Sequence, residues 1–509
     1  MSLITRALAM AGASLLLQAC TNLGPDYEEP EVAWLEQWQT DLYGQVNPAS
    51  PAEEDLQFWW QAFGDPLLNQ FIEIARRENY NLRLAGLAVL ESRALLGIAT
   101  GSQYPQVQQA SGSWARADRW PTEGRKSGDH SNLNAYDLGF DIGWELDFWG
   151  RWRRGVESAD AAFFASISNQ QNAQVLLAAQ VAQAYYSYLT IARQIEIARE
   201  NADLQHRSLE ITTRLFESGQ SSELDVQQAR TQYLATVSTI PELESSLRQV
   251  ENGLGVLLGR SPGELPELNT AASELPALNP VYINAFPATL LLRRPDVRSA
   301  AFSVAAQSAQ IGIARADLYP SISLFGTIGW SGNSLDLTAD ALATGVGPGF
   351  TWNLFNYDRI ENRVRVQDVR LQQLIEGYQL TVLAAAAEID SAAIAVVKTR
   401  EQQQVLAEAL QAAERSLALS TKRYREGYSD FQRVLTAQQS RAARSAAYVA
   451  NQGAHINGVI AFYKALGGGW RPAQAQDLVP DAVREIMEQR TDWDGMLDDP
   501  VPAIEQKRP

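Results

Sequence analysis

The stretch AYDLGFDIGWELDF, residues 135–148, alternates at every position between a large apolar side chain and an alanine, glycine or acid. Successive side chains of a β-strand point to opposite faces, so one face of this strand is predicted to be apolar and the other small or acidic. Over about 9–11 residues, such alternation is typical of a strand in a membrane-spanning β-barrel. A soluble sheet that covers a core would alternate in the same way, so the rest of the chain must decide.

A second strand of this kind shows that the chain contains an internal repeat. Residues 345–354 also alternate, and Trp352 corresponds to Trp144 at an offset of 208 residues (352 − 144). The same offset continues along the chain and relates Gly219 to Gly427. Because many matches in register are not produced by chance, the sequence predicts two copies of one unit of about 180 residues.

Upstream of the strands the two copies are related by a larger offset. The triplets Gly-Ile-Ala that begin at Gly97 and Gly312 are 215 residues apart (312 − 97). The first copy therefore has seven extra residues (215 − 208) between this helical segment and its second strand. Each copy is predicted to contain a helix, two strands around a polar loop, and then a long helix.

The long helices are the second unusual feature of the sequence. Residues 156–218 contain neither Gly nor Pro, and the matching part of the second copy contains only Gly377. At 1.5 Å per residue the first of these would be ~95 Å long, which requires an elongated architecture. Their Ala, Gln and Leu content favours close packing in a wall resembling a coiled coil.

Glycines are predicted to end both long helices and reverse the chain. Gly219 and Gly427 mark these turns, and the spacings Ser222-x-x-Asp225 and Ser429-x-x-Gln432 predict capping boxes at the start of two return helices. Residues 259–295 contain six prolines and are predicted to link the copies without regular helix.

The number of strands predicts an oligomer. Two strands per copy give four per chain, whereas outer-membrane barrels have at least about 8 strands. An open sheet edge in lipid would leave backbone groups without hydrogen bonds, so one chain cannot close a barrel. This arithmetic allows a dimer, a trimer or a tetramer.

The only cysteine of the chain follows a signal-like segment. Residues 7–17 are an apolar stretch after Arg6, too short to span a bilayer but suitable for a signal peptide. Leu17-Gln18-Ala19-Cys20 resembles the lipobox of bacterial lipoproteins, which predicts that Cys20 is the acylated N-terminus. The alternative is a secreted protein with an incidental cysteine. No later run of apolar residues predicts a transmembrane helix.

Composition narrows the function classes. The net charge of −17 disfavours nucleic acid as a partner, because phosphate binding needs a basic face. One Cys and the three scattered residues His130, His206 and His455 predict no metal site, no cofactor and no catalytic triad. No phosphate-binding loop is present in the sequence, so no energy-coupling site is predicted.

An ordered set of motifs resembles a known family over nearly the whole mature chain. They are Gly24-Pro25-Asp26-Tyr27, Trp59-Trp60 with Phe63-x-Asp65-Pro66, Trp144-Glu145-Leu146-Asp147-Phe148-Trp149-Gly150-Arg151, Leu292-Arg293-Arg294-Pro295-Asp296-Val297, Tyr424-x-x-Gly427, Val434-Leu435-x-Ala437-Gln438 and Ala465-Leu466-Gly467-Gly468-Gly469-Trp470. The chain resembles the outer-membrane factors of tripartite efflux systems of the RND type, the TolC and OprM family, in its lipoprotein branch. One departure is Thr436, where the family often has Asp.

This resemblance implies a fold and partners. The fold is an α+β membrane protein: a homotrimer with a 12-stranded barrel, four strands per chain, continued by a periplasmic α-helical barrel with an equatorial belt. The implied function is the passive exit duct of a drug or small-solute efflux pump, with a periplasmic adaptor protein and an inner-membrane transporter as partners. A duct for type I protein secretion or for metal-ion efflux, and a lipid-anchored coiled-coil scaffold without a pore, remain alternatives.

The resemblance and the repeat together predict ten segments. They are the signal peptide, 1–19; the N-terminal anchor and equatorial segment, 20–80; the helix of repeat 1, 81–103; barrel hairpin 1, 104–150; the long helix, tip turn and return helix of repeat 1, 151–258; the inter-repeat linker, 259–295; the helix of repeat 2, 296–318; barrel hairpin 2, 319–357; the long helix, tip turn and return helix of repeat 2, 358–466; and the C-terminal equatorial tail, 467–509.

The alternation also predicts an acidic lumen for the barrel. Asp137, Asp141, Glu145 and Asp147 lie on the face opposite the aromatic side chains. Rings of like charge in a channel attract counter-ions, so the lumen is expected to favour cations. Paired or peripheral acids without such an effect are the alternative.

The tips of the long helices are the second predicted site. The turns at Gly219 and Gly427, with Ser221 and Ser429, are predicted to dock the adaptor, because they lie farthest from the barrel. A periplasmic gate is predicted beside them, and its residues are Glu223, Asp225, Tyr424, Asp430 and Arg433. Asp225 and Arg433 are equivalent in the two copies and opposite in charge, which predicts an ion pair between neighbouring hairpins. Ordinary helix turns and solvated charges are the alternatives.

Overall fold

The computed structural model of the chain describes residues 22–35, 41–45, 54–119, 131–270, 274–276, 278, 291–332 and 341–504. Cys20, the predicted acylation site, lies outside these residues. The described residues form ten α-helices, two 3₁₀ turns and one sheet of four strands.

The helices alternate with the strands in the order that the repeat predicts. They are α1 (Glu54–Gln57), α2 (Pro66–Glu78), α3 (Tyr80–Gly101), α4 (Arg151–Glu217), α5 (Glu223–Leu257), α6 (Pro295–Ala316), α7 (Arg359–Arg425), α8 (Phe431–Ala465), α9 (Ala475–Leu478) and α10 (Asp481–Arg490). The strands are β1 (Val107–Arg119), β2 (Ser131–Leu146), β3 (Ser321–Gly332) and β4 (Ala341–Thr351). The 3₁₀ turns are Trp59–Phe63 and Pro266–Thr270.

Matched helix lengths confirm the internal repeat. The helices before the strands, α3 and α6, both have 22 residues. The long helices α4 and α7 both have 67 residues, and the return helices α5 and α8 both have 35. A helix of 67 residues is ~100 Å long at 1.5 Å per residue.

Two tryptophan hydrogen bonds repeat at both offsets. The indole of Trp144 donates to the Gln103 carbonyl over 3.1 Å, and the indole of Trp352 donates to the Leu318 carbonyl over 3.0 Å. The donors are 208 residues apart (352 − 144) and the acceptors 215 (318 − 103). The junction between helix and strand therefore has the same geometry in both copies.

The return helices begin with different caps. Ser222 and Asp225 form the predicted capping box, since Ser222 Oγ accepts from the Asp225 amide over 3.3 Å and Asp225 Oδ2 accepts from the Ser222 amide over 3.2 Å. The capping box predicted at Ser429 is wrong. Asp430 caps α8 instead, and its carboxylate accepts from the Arg433 amide over 3.3 Å. A carboxylate is a strong N-cap acceptor, which explains the shift by one residue.

The elements form an open layer, and its edge strands β1 and β4 each pair with only one described strand. The sheet order is β1-β2-β3-β4, with all neighbours antiparallel. Near the strands the helices contact one another in the order α3, α4, α6, α7, and beyond them in the order α5, α4, α8, α7. Copies joined head to tail would close the sheet and both helix layers at once, with β4 beside β1 and α7 beside α5 and α3 of the next copy.

The core lies midway along the long helices. Trp59 and Trp60 are fully buried, and Trp59 stacks on Tyr463 with ring centroids 5.3 Å apart. Asp65 caps α2 and accepts a hydrogen bond from the Tyr185 hydroxyl over 2.8 Å. These contacts join the segment before α2 to the long helix α4. The Trp-Trp and Phe-x-Asp-Pro motifs are thus explained by packing and capping.

A buried charge network explains a second motif. Arg294 is 8% exposed and donates to the Ala465 carbonyl at the end of α8 over 2.6 Å. Its guanidinium also pairs with Asp296 at 2.8 Å and Glu388 at 2.9 Å, and Lys464 pairs with Glu388 at 2.7 Å. The network joins the start of α6 to α7 and α8, and so connects both ends of the second repeat.

One described helix, Arg359–Arg425, contains a window of 18 residues that is apolar enough to cross a membrane. Within it Val382, Ile389, Ala393 and Val396 are almost fully buried in the main core of the chain. Packing against the other helices accounts for only part of this apolar character, because 39% of the window is buried inside the chain.

Candidate functional site

The strands present one apolar face to the surroundings. In the register of β2 and β3, Leu138 lies opposite Trp330 and Phe140 lies opposite Ile328. On β4, Val346 is 89% exposed and Phe350 is 77% exposed. A soluble sheet would bury these side chains on a core. No described element covers them, so this face fits lipid.

The opposite face carries small side chains and three of the predicted acids. Asp137 accepts a hydrogen bond from Ser113 Oγ over 3.1 Å. Asp141 is exposed and forms no ion pair with a described residue. Glu145 lies 3.9 Å from Arg151. The lumenal role of these acids remains a prediction.

Asp147 was predicted to belong to the same strand face, and this placement is wrong. β2 ends at Leu146, one residue earlier. The Asp147 carboxylate accepts from the amides of Trp152 and Arg153 over 3.1 and 3.0 Å, and it pairs with the Arg153 side chain at 3.1 Å. Its negative charge stabilises the N-terminus of α4 and is neutralised by a neighbouring cation.

Phe325 lies on the same face of the sheet as the predicted lumenal acids, and the sequence analysis missed it. It lies on the face of β3 opposite Leu324 and Ile328, and it is half exposed. A Cβ on Gly347 would lie 3.3 Å from the Phe325 ring, so the ring covers this glycine of β4. The alternation of β3 alone could have indicated its direction.

Both tip turns have the same backbone geometry. Gly219 and Gly427 have φ angles of 73° and 76°, in the left-handed region that favours glycine. Their amides donate to the carbonyls of Phe216 and Tyr424 over 2.8 and 3.0 Å. A Cβ on either glycine would meet no described atom within 4 Å. The tips therefore present open surface.

The serines of the two turns differ. Ser221 Oγ donates to the Thr212 carbonyl over 3.3 Å and so joins the turn to α4. Ser429 Oγ donates to the neighbouring Asp430 carbonyl over 3.4 Å. The first serine is thus held by the long helix, whereas the second remains close to its own backbone.

Among the described residues of one chain, Arg433 forms no ion pair with Asp225 or Glu223, which are its predicted partners on a neighbouring hairpin. Arg433 lies 3.9 Å from Asp430, and both side chains are about 70% exposed. Asp225 is engaged in the capping box with Ser222. Glu223 is in the first turn of α5 and acidic, as an N-terminus favours. The ion pair between hairpins remains a prediction.

Tyr424 belongs to an apolar cluster at the tip. Its ring lies 5.5 Å from that of Phe431, and both pack with Val434, Leu435 and Ala229. Burial raises the pKa of the Tyr424 hydroxyl, although the nearby Thr212 hydroxyl acts in the opposite direction. The cluster draws residues from all four tube helices and fixes the tip of the chain.

Polar contacts between the helices form a further group that the sequence analysis missed. Gln439 bonds to Gln232 over 2.9 Å. Gln438 donates to Ser208 Oγ over 2.5 Å, and Arg441 donates to Asn201 Oδ1 over 2.5 Å. They link α8 to α5 and α4. No periodicity marks such partners, because each side chain meets a helix far away in sequence.

Among the described residues, no group of three or more His, Cys, Asp and Glu side chains is placed to hold a metal ion.

Comparison with known families decides the identity. The family model described as "Outer membrane efflux protein" matches residues 71–260 and 286–468. The chain belongs to the outer membrane efflux protein family. The two matched ranges together include both repeats.

Individual members of this family resemble the chain over most of its length. The cation efflux system protein CusC from Escherichia coli is 30% identical over 469 residues, covering 90% of this chain and 97% of CusC. The toluene efflux pump outer membrane protein TtgC from Pseudomonas putida is 30% identical over 478 residues, covering 91% and 95%. The structure of the outer-membrane channel OprN aligns with a TM-score of 0.80 at 30% identity, covering 89% and 100%.

Membership of this family decides the oligomeric state, which the strand count left open between a dimer, a trimer and a tetramer. The protein is a trimeric outer-membrane channel, and each chain supplies four strands of a 12-stranded barrel and four helices of the periplasmic tube. It resides in the outer membrane and extends into the periplasm. Members of this family are outer-membrane efflux channels, which are not enzymes.

Proposed function

We propose that the protein is the passive exit duct of a tripartite efflux pump. The observation that carries this proposal is the direct continuation of a lipid-facing sheet into long helices. Only four residues, 147–150, separate the end of β2 from the start of α4. A barrel that continues into a tube without interruption conducts solutes and has no need for a catalytic step.

The energy for transport comes from partners in this proposal. The periplasmic adaptor joins the tube to an inner-membrane transporter of the RND type, and both are partners of this family. We propose that the adaptor docks at the turns of Gly219 and Gly427. A groove of about 600 Å³ between α4, α7 and α8 begins beside the second turn, and Lys422, Arg425 and Glu426 line it. These charges offer polar contacts to a docked helix.

The cargo class is a separate question. The chain is equally identical, at 30%, to a protein of a cation efflux system and to a protein of a toluene efflux pump. We propose drugs or small solutes as the cargo, because Asp141 is the only lumenal acid among Asp137, Asp141 and Glu145 that has neither a hydrogen bond nor an ion pair from a described side chain. A metal-ion duct remains the second candidate. The RND-type transporter would select the cargo.

We also propose that Cys20 is acylated and anchors the mature chain. One acyl chain gives only marginal membrane binding, so the barrel provides most of the attachment. Cys20→Ser should abolish palmitate labelling and leave part of the trimer in the membrane. Labelling that persists in the variant would contradict the assignment.

Planar-bilayer recording tests the duct. Purified trimer should give steps of constant conductance, whereas a scaffold without a pore should give none. Expression in a strain that lacks its own outer-membrane channel, together with the matching adaptor and transporter, tests the cargo. Restored resistance to drugs but not to silver or copper would support the drug duct, and the reverse result would support metal-ion efflux.

A further inference from the structure

The N-terminal segment Asn22–Asp26 packs closely against the junction of barrel and tube. The Leu23 amide donates to the Trp149 carbonyl over 3.2 Å. Trp149 lies in the short connection between the end of β2 at Leu146 and the start of α4 at Arg151. The segment is therefore attached to the rim of the barrel by its backbone.

A buried arginine holds the same segment. Arg154 on α4 is 2% exposed. Its guanidinium donates to the Leu23 carbonyl over 3.1 Å and pairs with Asp26 at 2.7 Å, while its other side pairs with Glu157 at 2.7 Å. Asp26 is itself largely exposed, so the arginine is the fixed partner and the segment is the one that docks.

Three glycines allow the backbone to approach closely. A Cβ on Gly312 of α6 would lie 2.4 Å from the Leu23 carbonyl oxygen, and a Cβ on Gly150 would lie 2.5 Å from Asn22 Oδ1. Gly24 has a φ of 89°, and a Cβ there would lie 2.6 Å from the Gly312 Cα. Side chains at these positions would displace the segment.

The equivalent positions of the two repeats do not form a second site of this kind among the described residues. The residue equivalent to Arg154 is Asn362 (154 + 208), and the residue equivalent to Gly150 is Asp358 (150 + 208). Gly97, equivalent to Gly312 (312 − 215), has no described atom within 4 Å of a Cβ. Within the part of the chain that the structure describes, it is therefore the seam between α4 and α6 that receives a segment.

We propose that Gly150, Arg154 and Gly312 form a docking site for Asn22–Asp26, and that this site fixes the anchor residue Cys20 at the barrel rim. Cys20 precedes Asn22 by two residues in the sequence, and two residues of chain reach at most about 7 Å. The docking site stands on the contacts alone, while the anchoring role rests on the proposed acylation of Cys20. The segment contacts both α4 of repeat 1 and α6 of repeat 2, and it therefore also joins the two repeats.

Hydrogen exchange of purified trimer, followed by mass spectrometry of the peptide around Leu23, tests the docking site. Gly312→Ala should accelerate exchange at Leu23 at least tenfold, and Asp26→Asn, which changes an exposed side chain, should accelerate it less. Gly97→Ala is the matched control, because it makes the same change at the equivalent helix position. It should leave Leu23 protected.

The outcomes separate the two parts of the proposal. Unchanged exchange in Gly312→Ala trimers, or equal acceleration in Gly97→Ala trimers, would overturn the docking site. Loss of protection in Cys20→Ser trimers would show that the lipid holds the segment and would also overturn it. An N-terminus without acyl mass, with Leu23 still protected, would overturn only the anchoring role. Acyl mass together with protection that depends on Gly312 would support both parts.

Discussion

Gln439 on α8 donates a hydrogen bond from its amide nitrogen to the side-chain oxygen of Gln232 on α5, over 2.9 Å. The two return helices thus touch directly, although α4 separates them over most of their length. Ala229 of α5 and Phe431 of α8 are buried together nearby. Any widening of the tube at the tip that moves α5 away from α8 must break this contact.

We predict that Gln439→Ala makes the tip of the tube easier to open. A hydrogen bond between neutral groups contributes about 0.5–1.5 kcal/mol, and a trimer has one copy per chain. Single-channel recordings should show a higher open probability than for the native trimer. Gln452→Ala, on the same helix but far from the tip, is the control. Equal behaviour of both variants would contradict this role.

The proposed pair between Arg433 and Asp225 or Glu223 of neighbouring hairpins makes a separate prediction. Arg433→Glu should raise single-channel conductance, and adding Asp225→Arg should lower it again. An exposed pair contributes only about 0–1 kcal/mol, but three symmetric copies act together. Arg444→Glu, an exposed charge farther along α8, is the matched control. If Arg433→Glu leaves conductance unchanged, the apolar cluster around Leu435 holds the tip instead.

Bulky residues at the tip glycines should abolish resistance without loss of trimer. Gly219→Leu and Gly427→Leu place side chains in open space, at a backbone strain of about 1–2 kcal/mol each. The adaptor surface would therefore change while the fold persists. Gly253→Leu, on α5 away from the tip, also meets open space and should retain resistance. Cross-linking that places the adaptor only at the equatorial belt would exclude docking at the tips.

Cation preference of the pore should depend on Asp141. This acid is exposed and unpaired among the described residues, so Asp141→Asn should move the reversal potential in a salt gradient toward neutrality. Glu145→Gln should have a smaller effect, because Arg151 lies 3.9 Å from Glu145. An anion preference that Asp141→Asn leaves unchanged would count against an acidic lumen.

The charge network of Glu388 predicts a loss of stability in acid. Burial by itself raises the pKa of Glu388, but its contacts with Lys464 and Arg294 outweigh burial and lower it. A lowered folded pKa gives stability that is present above the unfolded value and lost as pH falls through the folded value. The apparent midpoint of thermal unfolding should therefore fall as pH drops below about 4.5 in the native protein. Glu388→Gln should flatten this dependence.

Much of the fold could be predicted because both copies of the repeat retain the same sequence patterns. The alternation of residues 135–148 and the glycine-free stretch of α4 each specify one element, and the repeat confirms both. The end of β2 was harder to place, since Asp147 continues the alternation in sequence while its carboxylate caps α4. A helix N-terminus competes with the strand for the same acid, and periodicity does not reveal which one prevails.

The candidate site was only partly predictable, for a related physical reason. Turn glycines such as Gly219 have a local signature, and they were found. Contacts such as Gln232 with Gln439 depend on how helices cross in space, about 200 residues apart in sequence. Arg154 was missed as well, because a buried arginine in an ordinary helical context has no pattern that indicates its partners.

The equal lengths of α4 and α7 have a consequence for how such a chain can evolve. If one long helix gained a turn alone, three of the six hairpins in the trimer would end ~5.4 Å lower than the others. The rim that meets a partner would then no longer be level. Insertions in these helices must therefore arrive in pairs, whereas the strand connections and the chain termini are free to change length one at a time.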